Sequence, residues 1–210
     1  MADKTILDIS CWQGRINWDK VKASGKIDGV MLRALGYKGG KPYVDPTFER
    51  NYAACAARGI PVGVYFWLGS TVAGGMANTT AMLRSVLEGK TFQLPIAIDV
   101  EDPKLKALTP AELSVLVRLY AAEIEHWGLY AMVYTYSNFA DTALDMDVLA
   151  AYDLWLADYR GKRPTRPHGM WQYTSEGRIS GVSGPVDLSH AYKDYPAIIK
   201  KAGLGKMKGA

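Results

Sequence analysis

Cysteine and histidine are scarce in this sequence, and these are the residues that build disulfide frameworks and most zinc sites. The two cysteines, Cys11 and Cys55, lie far apart and form no C-x-x-C pair, so neither a disulfide scaffold nor a cysteine-built zinc site is expected. The three histidines include no pair at i, i+4 spacing, which also argues against a histidine-bound metal. We therefore predict a protein without a metal or cofactor.

Long apolar runs and a strong excess of one charge are missing too. No run approaches the ~18 apolar residues that a membrane helix needs, and the start Met1–Asp8 lacks the basic and apolar regions of a signal peptide. With 25 basic and 21 acidic side chains, the net charge is +4. This charge suits a polyanionic surface but is too small to indicate a nucleic-acid binder. We expect no membrane insertion and no nucleic-acid partner.

Short apolar runs alternate with helical patterns along the 210 residues, 49% of which are hydrophobic. Strands are predicted at residues 6–10, 29–34, 61–68, 94–100, 131–136, 154–157, 169–174 and 181–188. Such alternation is typical of a parallel sheet with helices outside it. The absence of G-x-G-x-x-G after the first strand, and of a P-loop, argues against nucleotide binding. The predicted fold class is α/β, a single irregular (β/α) TIM-like barrel with fewer helices in its C-terminal third.

Helix boundaries are marked by capping residues. Helices are predicted at residues 17–24, 45–58, 72–87, 109–127 and 197–202. Asn17 is suited to an N-cap for the first helix. Asp45 before a proline is typical of an N-cap followed by proline in the first turn, and Thr109 with Glu112 is typical of a capping box. The barrel domain is predicted to span residues 1–203, followed by a flexible basic tail at 204–210.

The fourth predicted strand ends in two carboxylic acids. Side chains alternate across a strand, so Ala97, Asp99 and Glu101 are expected to face the barrel mouth. Two carboxyl groups on one face raise each other's proton affinity. Glycoside hydrolysis uses this arrangement, because it needs one protonated acid for the leaving oxygen and one ionised group near the sugar. An ordinary solvated D-x-E pattern is the competing interpretation, but it would require this apolar strand to end early.

Active sites of such barrels lie at the C-terminal ends of the strands, where further polar and aromatic residues are predicted. Asp8 ends the first strand and Asp187 the last, although Asp8 is equally suited to forming a turn. Arg33 is a candidate substrate ligand, but neutralisation of the carboxylates is the favoured interpretation. The remaining candidates for lining a sugar cleft are Tyr65, Trp67, Tyr134, Trp155, Trp171 and Gln172.

Five segments match, in order, the motifs of one known family. They are the opening Leu7–Trp18, followed by Pro61–Trp67, Ile98–Glu101, Leu154–Tyr159 and Trp171–Asp187. The opening resembles the pattern D-[IV]-S-x-W-Q-x-x-[IV]-[DN]-W of glycoside hydrolase family 25, the muramidases of the Chalaropsis type. The resemblance covers nearly the whole chain, and five ordered motifs are a much stronger signal than any one of them.

This resemblance implies cleavage of the β-1,4 bond between N-acetylmuramic acid and N-acetylglucosamine in peptidoglycan. It implies that Glu101 is the general acid and that Asp99 assists at the anomeric side, a role that in many D-x-E glycosidases is orientation of the 2-acetamido group of the substrate. Direct nucleophilic attack and inversion are the alternatives, because the spacing along the strand does not fix the distance between the two carboxyl groups. Asp8 and Asp187 match the two further acidic positions of the family. The peptidoglycan glycan strand is thus the implied partner, and we expect the protein to act as a monomer.

Two positions depart from the family pattern. Ser189 stands where the family usually has asparagine, two residues after the final aspartate. Arg33–Tyr37 replaces a segment in which many members carry a lysine or arginine followed by a T-E-G-like turn. Neither departure involves Asp99 or Glu101.

Two other functions compatible with the sequence are a chitinase-like hydrolase, which also uses a D-x-E strand, and a catalytically silent module that binds wall glycan. Four mutually repelling carboxylates argue against a pure binder. The resemblance further implies action on the bacterial cell wall, either as a phage endolysin made without a signal peptide or as a mature secreted enzyme.

Overall fold

The computed structural model describes residues 3–70 and 73–208, and within them one sheet closes into a barrel. Its strands are β1 (Lys4–Ile9), β2 (Gly29–Lys38), β3 (Lys41–Val44), β4 (Val62–Trp67), β5 (Ile96–Asp99), β6 (Ala131–Tyr136), β7 (Asp153–Ala157), β8 (Met170–Gly177) and β9 (Val186–Ala191). Eight of them follow the order β1-β9-β8-β7-β6-β5-β4-β2, and pairing of β1 with β2 closes the barrel. The short β3 pairs only with β2, as a hairpin that the sequence did not predict.

Helices cover the outside of the barrel unevenly. They are α1 (Trp18–Ala23), α2 (Phe48–Ala56), α3 (Ala73–Leu87), α4 (Pro110–His126), α5 (Ser137–Thr142) and α6 (Tyr195–Lys201). The predicted start of the third helix at Val72 lies outside the described residues. Residues 158–185, all of which are described, contain no helix. The prediction of an α/β barrel with few helices in its C-terminal third is therefore confirmed. No helix in the described ranges combines the length and apolarity needed to cross a bilayer.

One strand runs against the predicted direction. The sequence predicts a parallel sheet, but β9 is antiparallel to both of its neighbours, β1 and β8. Since only residues 178–185 separate β8 from β9, the connection is a hairpin and has no room for a crossover helix. In the resulting register, Asp8 on β1 lies directly opposite Asp187 on β9.

The interior of the barrel is apolar toward the N-terminal ends of the parallel strands. The buried side chains there include Ile6, Met31, Leu94, Met132, Met170 and Ala191. A separate and larger apolar layer lies between the sheet and the outer helices. Because the lower interior is filled, open space inside the barrel is confined to the C-terminal ends of the strands.

Two of the three predicted helix caps are present. Asn17 caps α1 by accepting a hydrogen bond from the Lys20 amide, and Thr109 forms the predicted capping box with Glu112 at the start of α4. The prediction that Asp45 caps the next helix is wrong, because α2 begins at Phe48. Its carboxylate instead accepts hydrogen bonds from Thr47 and from Arg33.

The predicted flexible tail is hydrogen-bonded to the barrel over residues 204–208. The amide of Gly205 donates to Gly128 O at 3.1 Å, and its carbonyl accepts from the Phe92 amide at 2.7 Å. The Lys208 amide donates to Trp127 O at 2.9 Å. For this segment the prediction is wrong, since its partners lie far away in sequence. Residues 209–210 are outside the described part.

Candidate active site

A cavity of about 250 Å³ opens at the C-terminal ends of the parallel strands. The structure brings together there every predicted site residue except Trp171. These residues are Asp8, Arg33, Tyr65, Trp67, Asp99, Glu101, Tyr134, Trp155, Gln172 and Asp187. Strands from both halves of the chain therefore contribute to one site, as the position of active sites in barrels predicts.

The acidic pair lies at and just beyond the end of β5. Asp99 is the last residue of the strand and is only 3% exposed. Glu101 follows the strand, but the Val100 amide still donates to Tyr134 O at 2.9 Å. Because this bond continues the pairing with β6, Glu101 reaches the same cavity as Asp99 and is less deeply buried.

Asp8 and Asp187 form a second acidic pair. They are directly opposed across the antiparallel β1–β9 pair, where Cβ atoms are typically ~4.5–5.5 Å apart. Like charges in this position repel each other and destabilise the pairing. Ordinary turn formation by Asp8 does not account for such a position within a strand.

Burial raises the proton affinity of all four acids, and repulsion by neighbouring carboxylates raises it further. Burial raises the pKa of Asp8 well above its usual range, and the charge of Asp187 raises it further. Burial and the charge of Glu101 do the same to the pKa of Asp99. The pKa values of Glu101 and Asp187 are also raised, mainly by burial. Protons are therefore retained here at pH values where exposed carboxyl groups are ionised.

Gln172 connects the acids to two tyrosines. Its amide nitrogen donates to Asp8 Oδ2 at 3.2 Å. Its carbonyl oxygen accepts from the hydroxyl groups of Tyr134 at 2.9 Å and Tyr159 at 2.5 Å. Because each partner fixes the amide orientation, the glutamine places one donor on Asp8 and holds both rings at the cavity wall.

Arg33 lines the cavity but pairs with a carboxylate outside the acidic cluster. Its Nε donates to Asp45 Oδ2 at 2.8 Å, and its Nη2 lies 2.9 Å from Cys11 Sγ. The guanidinium charge still lowers the pKa values of Asp8 and Asp99 against the larger effect of burial. The ion pair of Arg33 is thus with Asp45, and its charge acts on the cavity acids with no direct hydrogen bond to them among the described residues; neutralisation of the acidic cluster by Arg33 stays a prediction.

Trp155 forms the floor of the cavity. Its side chain is 1% exposed and contacts Tyr134 edge-on, with ring centroids 4.7 Å apart. Its indole nitrogen donates to Ser189 Oγ at 3.0 Å. Ser189, which replaces the asparagine usual in the family, thus satisfies a buried donor. Trp155 supports the cavity from below and offers no free face for stacking.

The prediction that Trp171 lines the site is wrong. Neighbouring residues in a strand point to opposite faces, so Trp171 points outward when Gln172 points into the cavity. Its indole nitrogen donates to Asp158 O at 2.8 Å, and its ring lies beside Tyr173 and His190. The alternation rule, applied to this dipeptide, would have excluded it.

Three residues of the cavity wall were not predicted. They are Trp12, Gln13 and Tyr159. Ser10, a polar residue expected at the end of the first predicted strand, also lines the cavity. Trp12 is 81% exposed and Tyr159 52% exposed, so both present free aromatic faces at the rim. A signal existed for the three missed residues, because they lie within the opening and Leu154–Tyr159 segments that resemble family motifs.

The described residues contain no group of three or more His, Cys, Asp or Glu side chains arranged to hold a metal ion. Both cysteines are free thiols, and burial raises the pKa of Cys55 to about 12. The functional groups that line the cavity include carboxyl groups, tyrosine hydroxyls, the amides of Gln13 and Gln172 and the guanidinium of Arg33.

These parts can protonate an oxygen, stabilise developing positive charge and hold a sugar ring against aromatic faces. The barrel and its acidic cavity define a glycoside hydrolase. Residues 7–182 match the glycosyl hydrolases family 25. The chain belongs to this family.

Related proteins share most of this chain but are longer. The autolytic lysozyme of Clostridium acetobutylicum is 29% identical over 184 residues, which cover 87% of this chain and 54% of that protein. Lysozyme M1 of Streptomyces globisporus is 27% identical over 198 residues, covering 86% and 65%. The Escherichia coli protein YegX is 28% identical over 190 residues, covering 87% and 67%. The chain thus spans about half to two thirds of these relatives.

Solved structures show the same barrel. The spore cortex lytic enzyme SleM of Clostridium perfringens matches with a TM-score of 0.80 and 26% identity, over 90% of this chain and 67% of that one. The modular autolysin LytC of Streptococcus pneumoniae matches with a TM-score of 0.78 and 27% identity, over 90% of this chain and 47% of that one. LytC has also been solved with a synthetic peptidoglycan ligand.

Proposed function

We propose that this member of family 25 is a peptidoglycan hydrolase, an N-acetylmuramidase that cleaves the β-1,4 bond between N-acetylmuramic acid and N-acetylglucosamine. The observation that carries the proposal is the joint presence of Asp99 and Glu101 in one aromatic-lined cavity, with both pKa values raised. The lysozyme and autolysin relatives support the same substrate. A net charge of +4 also favours an anionic wall.

Glu101 is assigned as the general acid. It is the less buried member of the pair, so the leaving oxygen of a long glycan can reach it from the open side of the cavity. Burial and the charge of Asp187 raise its pKa, which favours the protonated form that a general acid needs. After the bond breaks, the ionised Glu101 can accept a proton from the attacking water.

Asp99 is assigned to the 2-acetamido group of the sugar. Its Oδ1 is buried and has no hydrogen-bond partner among the described residues, so it can accept the acetamido N–H. In the free protein burial favours a proton on Asp99. An acetamido N–H donated to its oxygen stabilises the ionised form, and this leaves the proton of the pair on Glu101.

With the acetamido group held in this way, its carbonyl oxygen attacks the anomeric carbon as the glycosidic bond breaks. The bonding electron pair goes to the leaving oxygen, which takes the proton of Glu101. Water then attacks the anomeric carbon and returns a proton to Glu101, which restores the acetamido group and gives retention of configuration. Asp8 and Asp187 stabilise the positive charge that develops at the sugar ring.

The test is digestion of purified peptidoglycan, read as newly formed reducing ends on muramic acid. The wild-type protein is expected to form them, and Glu101→Gln to form them at least ~100-fold more slowly, because a general acid contributes on this scale. Glu88→Gln, at an exposed glutamate just after α3, is the matched control. Circular dichroism checks that all three proteins are folded.

Near-full activity of Glu101→Gln would refute the assignment of the acid. Cleavage of chitin oligomers without cleavage of peptidoglycan would replace the muramidase by a chitinase-like enzyme. Binding to cell walls without release of any product would replace it by a glycan-binding module.

A further inference from the structure

A second and larger cavity lies beside the catalytic one, on the outer wall of the barrel. It has a volume of about 750 Å³ and is lined by α1, α2 and the loop before β9, which places it within the ~300–1,000 Å³ range of ligand pockets. Four cations line it, namely Arg15, Lys20, Arg50 and Arg58. We call this cavity the basic groove. Nothing in the proposed mechanism uses it.

Most of the positive charge in the basic groove is uncompensated. Asp19 is the one acidic residue lining it, and Arg58 neutralises Asp19 through two hydrogen bonds of 2.9 and 2.8 Å. Arg50 donates only to the neutral carbonyl oxygen of Gly14, at 2.7 Å. Like Arg50, Arg15 and Lys20 form no ion pair with any residue that the structure describes. Three positive charges thus remain for an anionic ligand.

The basic groove has a fixed shape. The amide of Asn17, at the start of α1, donates to Gly181 O at 2.8 Å and so ties the loop before β9 to this helix. Gly181 has a φ of +97°, and a Cβ atom there would lie 2.4 Å from Asn17 O. Only glycine therefore permits this close approach, and the two walls of the groove are held together without a ligand.

The basic groove adjoins the catalytic cavity through two segments of chain. Gln13 lines the catalytic cavity and Arg15 lines the groove, and Cα atoms two residues apart are at most about 7.6 Å from each other. On the opposite wall, Ser183 lines the groove and Asp187 the catalytic cavity. The two cavities are therefore bordered by the same two segments of chain, at a separation along these segments that a peptide of a few extended residues, at ~3.3–3.6 Å each, can span.

We propose that the basic groove binds the carboxylates of the peptide stem carried by muramic acid, so that the enzyme recognises the peptide together with the sugar. This inference rests on the proposed function. The stem is attached to the sugar next to the bond that is cleaved and ends in carboxylates. Because it is tethered to a bound sugar, it is presented to the groove at a high effective concentration. A separate wall polymer of glycerol phosphate lacks this advantage.

The direct test is calorimetric titration of a soluble muramoyl peptide into the wild-type protein and into the double variant Arg15→Gln/Lys20→Gln. The variant is expected to bind the peptide roughly five- to ten-fold more weakly, since two exposed charge contacts are lost. Arg118→Gln/Lys200→Gln removes two exposed cations on α4 and α6 and is the matched control. A muramoyl peptide with amidated carboxyl groups is expected to bind both proteins with equal affinity.

A second measurement uses cleavage. For each protein, kcat/KM is measured on intact peptidoglycan and on glycan strands stripped of their peptides, and the value on intact peptidoglycan is divided by the value on stripped strands. This ratio is expected to be several-fold lower for Arg15→Gln/Lys20→Gln than for the wild type and the control variant. Equal loss on both substrates would overturn the inference, because it would indicate a general effect on folding or glycan binding.

Unchanged peptide affinity in Arg15→Gln/Lys20→Gln would also overturn the inference. So would a wild-type protein that binds poly(glycerol phosphate) but does not bind the muramoyl peptide. If the wild type binds the peptide in a groove-dependent way but cleaves neither substrate, the inference stands and the muramidase assignment fails. The two hypotheses are thus tested separately.

Discussion

The two ends of the barrel interior are built from the same strands but from opposite kinds of side chain. Moving two residues along one face of a strand replaces an apolar residue by a polar one: Ile6 by Asp8, Met31 by Arg33, Ala97 by Asp99, Met132 by Tyr134 and Met170 by Gln172. The layer at the N-terminal ends of the parallel strands, the lower layer, is close-packed. The layer at their C-terminal ends, the upper layer, surrounds a cavity and contains four acids. One layer thus stabilises the barrel, and the other gives up stability for a reactive site.

The largest expected effect separates activity from stability in the upper layer. Asp99→Asn replaces a buried carboxyl group, whose Oδ1 has no partner among the described residues, by an amide that cannot ionise. We expect activity on peptidoglycan to fall by ~100- to 1,000-fold, the scale of losing an electrostatic contact to the transition state. The free energy of unfolding is expected to rise by roughly 0.5–2 kcal/mol, as when a strained active site is relieved.

Reducing-end assays and urea unfolding at pH 7 check both parts of this prediction. A variant that lost stability and activity together would show that Asp99 is a structural residue, and would remove the contrast between the two layers.

The same comparison predicts the reverse result in the lower layer. Met132 is fully buried, so Met132→Ala is expected to lower the free energy of unfolding by about 2–5 kcal/mol. The folded variant is expected to retain its specific activity, because the cavity residues are untouched. Met132→Leu, which conserves volume, is the control and is expected to cost less than about 1.5 kcal/mol.

Ser189→Ala tests the contact between the layers. It leaves the buried indole nitrogen of Trp155 without its acceptor, which is expected to cost roughly 1–3 kcal/mol of stability. Ser85→Ala, at an exposed position on α3, is expected to change stability by less than about 0.5 kcal/mol. Equal effects of the two substitutions in urea unfolding would contradict the role given to Ser189.

The smallest expected effect is a slope in the pH dependence of stability. The pKa values of Asp8 and Asp99 are raised in the folded state, so above about pH 4 the folded protein binds more protons than the unfolded chain. Their contribution to stability therefore decreases as pH rises toward the folded-state pKa values. Consequently, the gain in stability from Asp99→Asn is expected to be larger at pH 7 than at pH 5. If Asp99→Asn raised the free energy of unfolding equally at both pH values, the raised pKa of Asp99 in the folded state would be contradicted.

Local signals predicted much of this fold. The caps formed by Asn17 and by Thr109 with Glu112 depend on residues within one turn, and both are present. Ten of the eleven side chains predicted from their positions at strand ends line one cavity. The prediction succeeded for two reasons. The two-residue period of a strand is a local property that shows which side chains face inward, and closure of the barrel brings the strand ends together.

The failed predictions involve partners that are distant in sequence. Asp45 has the signature of a helix cap, but an ion pair with Arg33 determines its position. The segment 204–208 looks like a polar tail, yet it pairs with Phe92, Trp127 and Gly128. The direction of β9 was missed for another reason: the hydrophobic pattern of a strand carries no direction. The short connection at residues 178–185 was a local signal for a hairpin.

The antiparallel β9 has a consequence for how the site is assembled. It supplies Asp187, and it separates β1 from β8 while hydrogen-bonding to both. β1 can pair with β2 early, but it can pair with β9 only after nearly the whole chain has been made, and contacts of such long range form slowly. During synthesis Asp8 therefore lacks its opposite residue Asp187. A nascent or truncated chain without β9 has no complete active site.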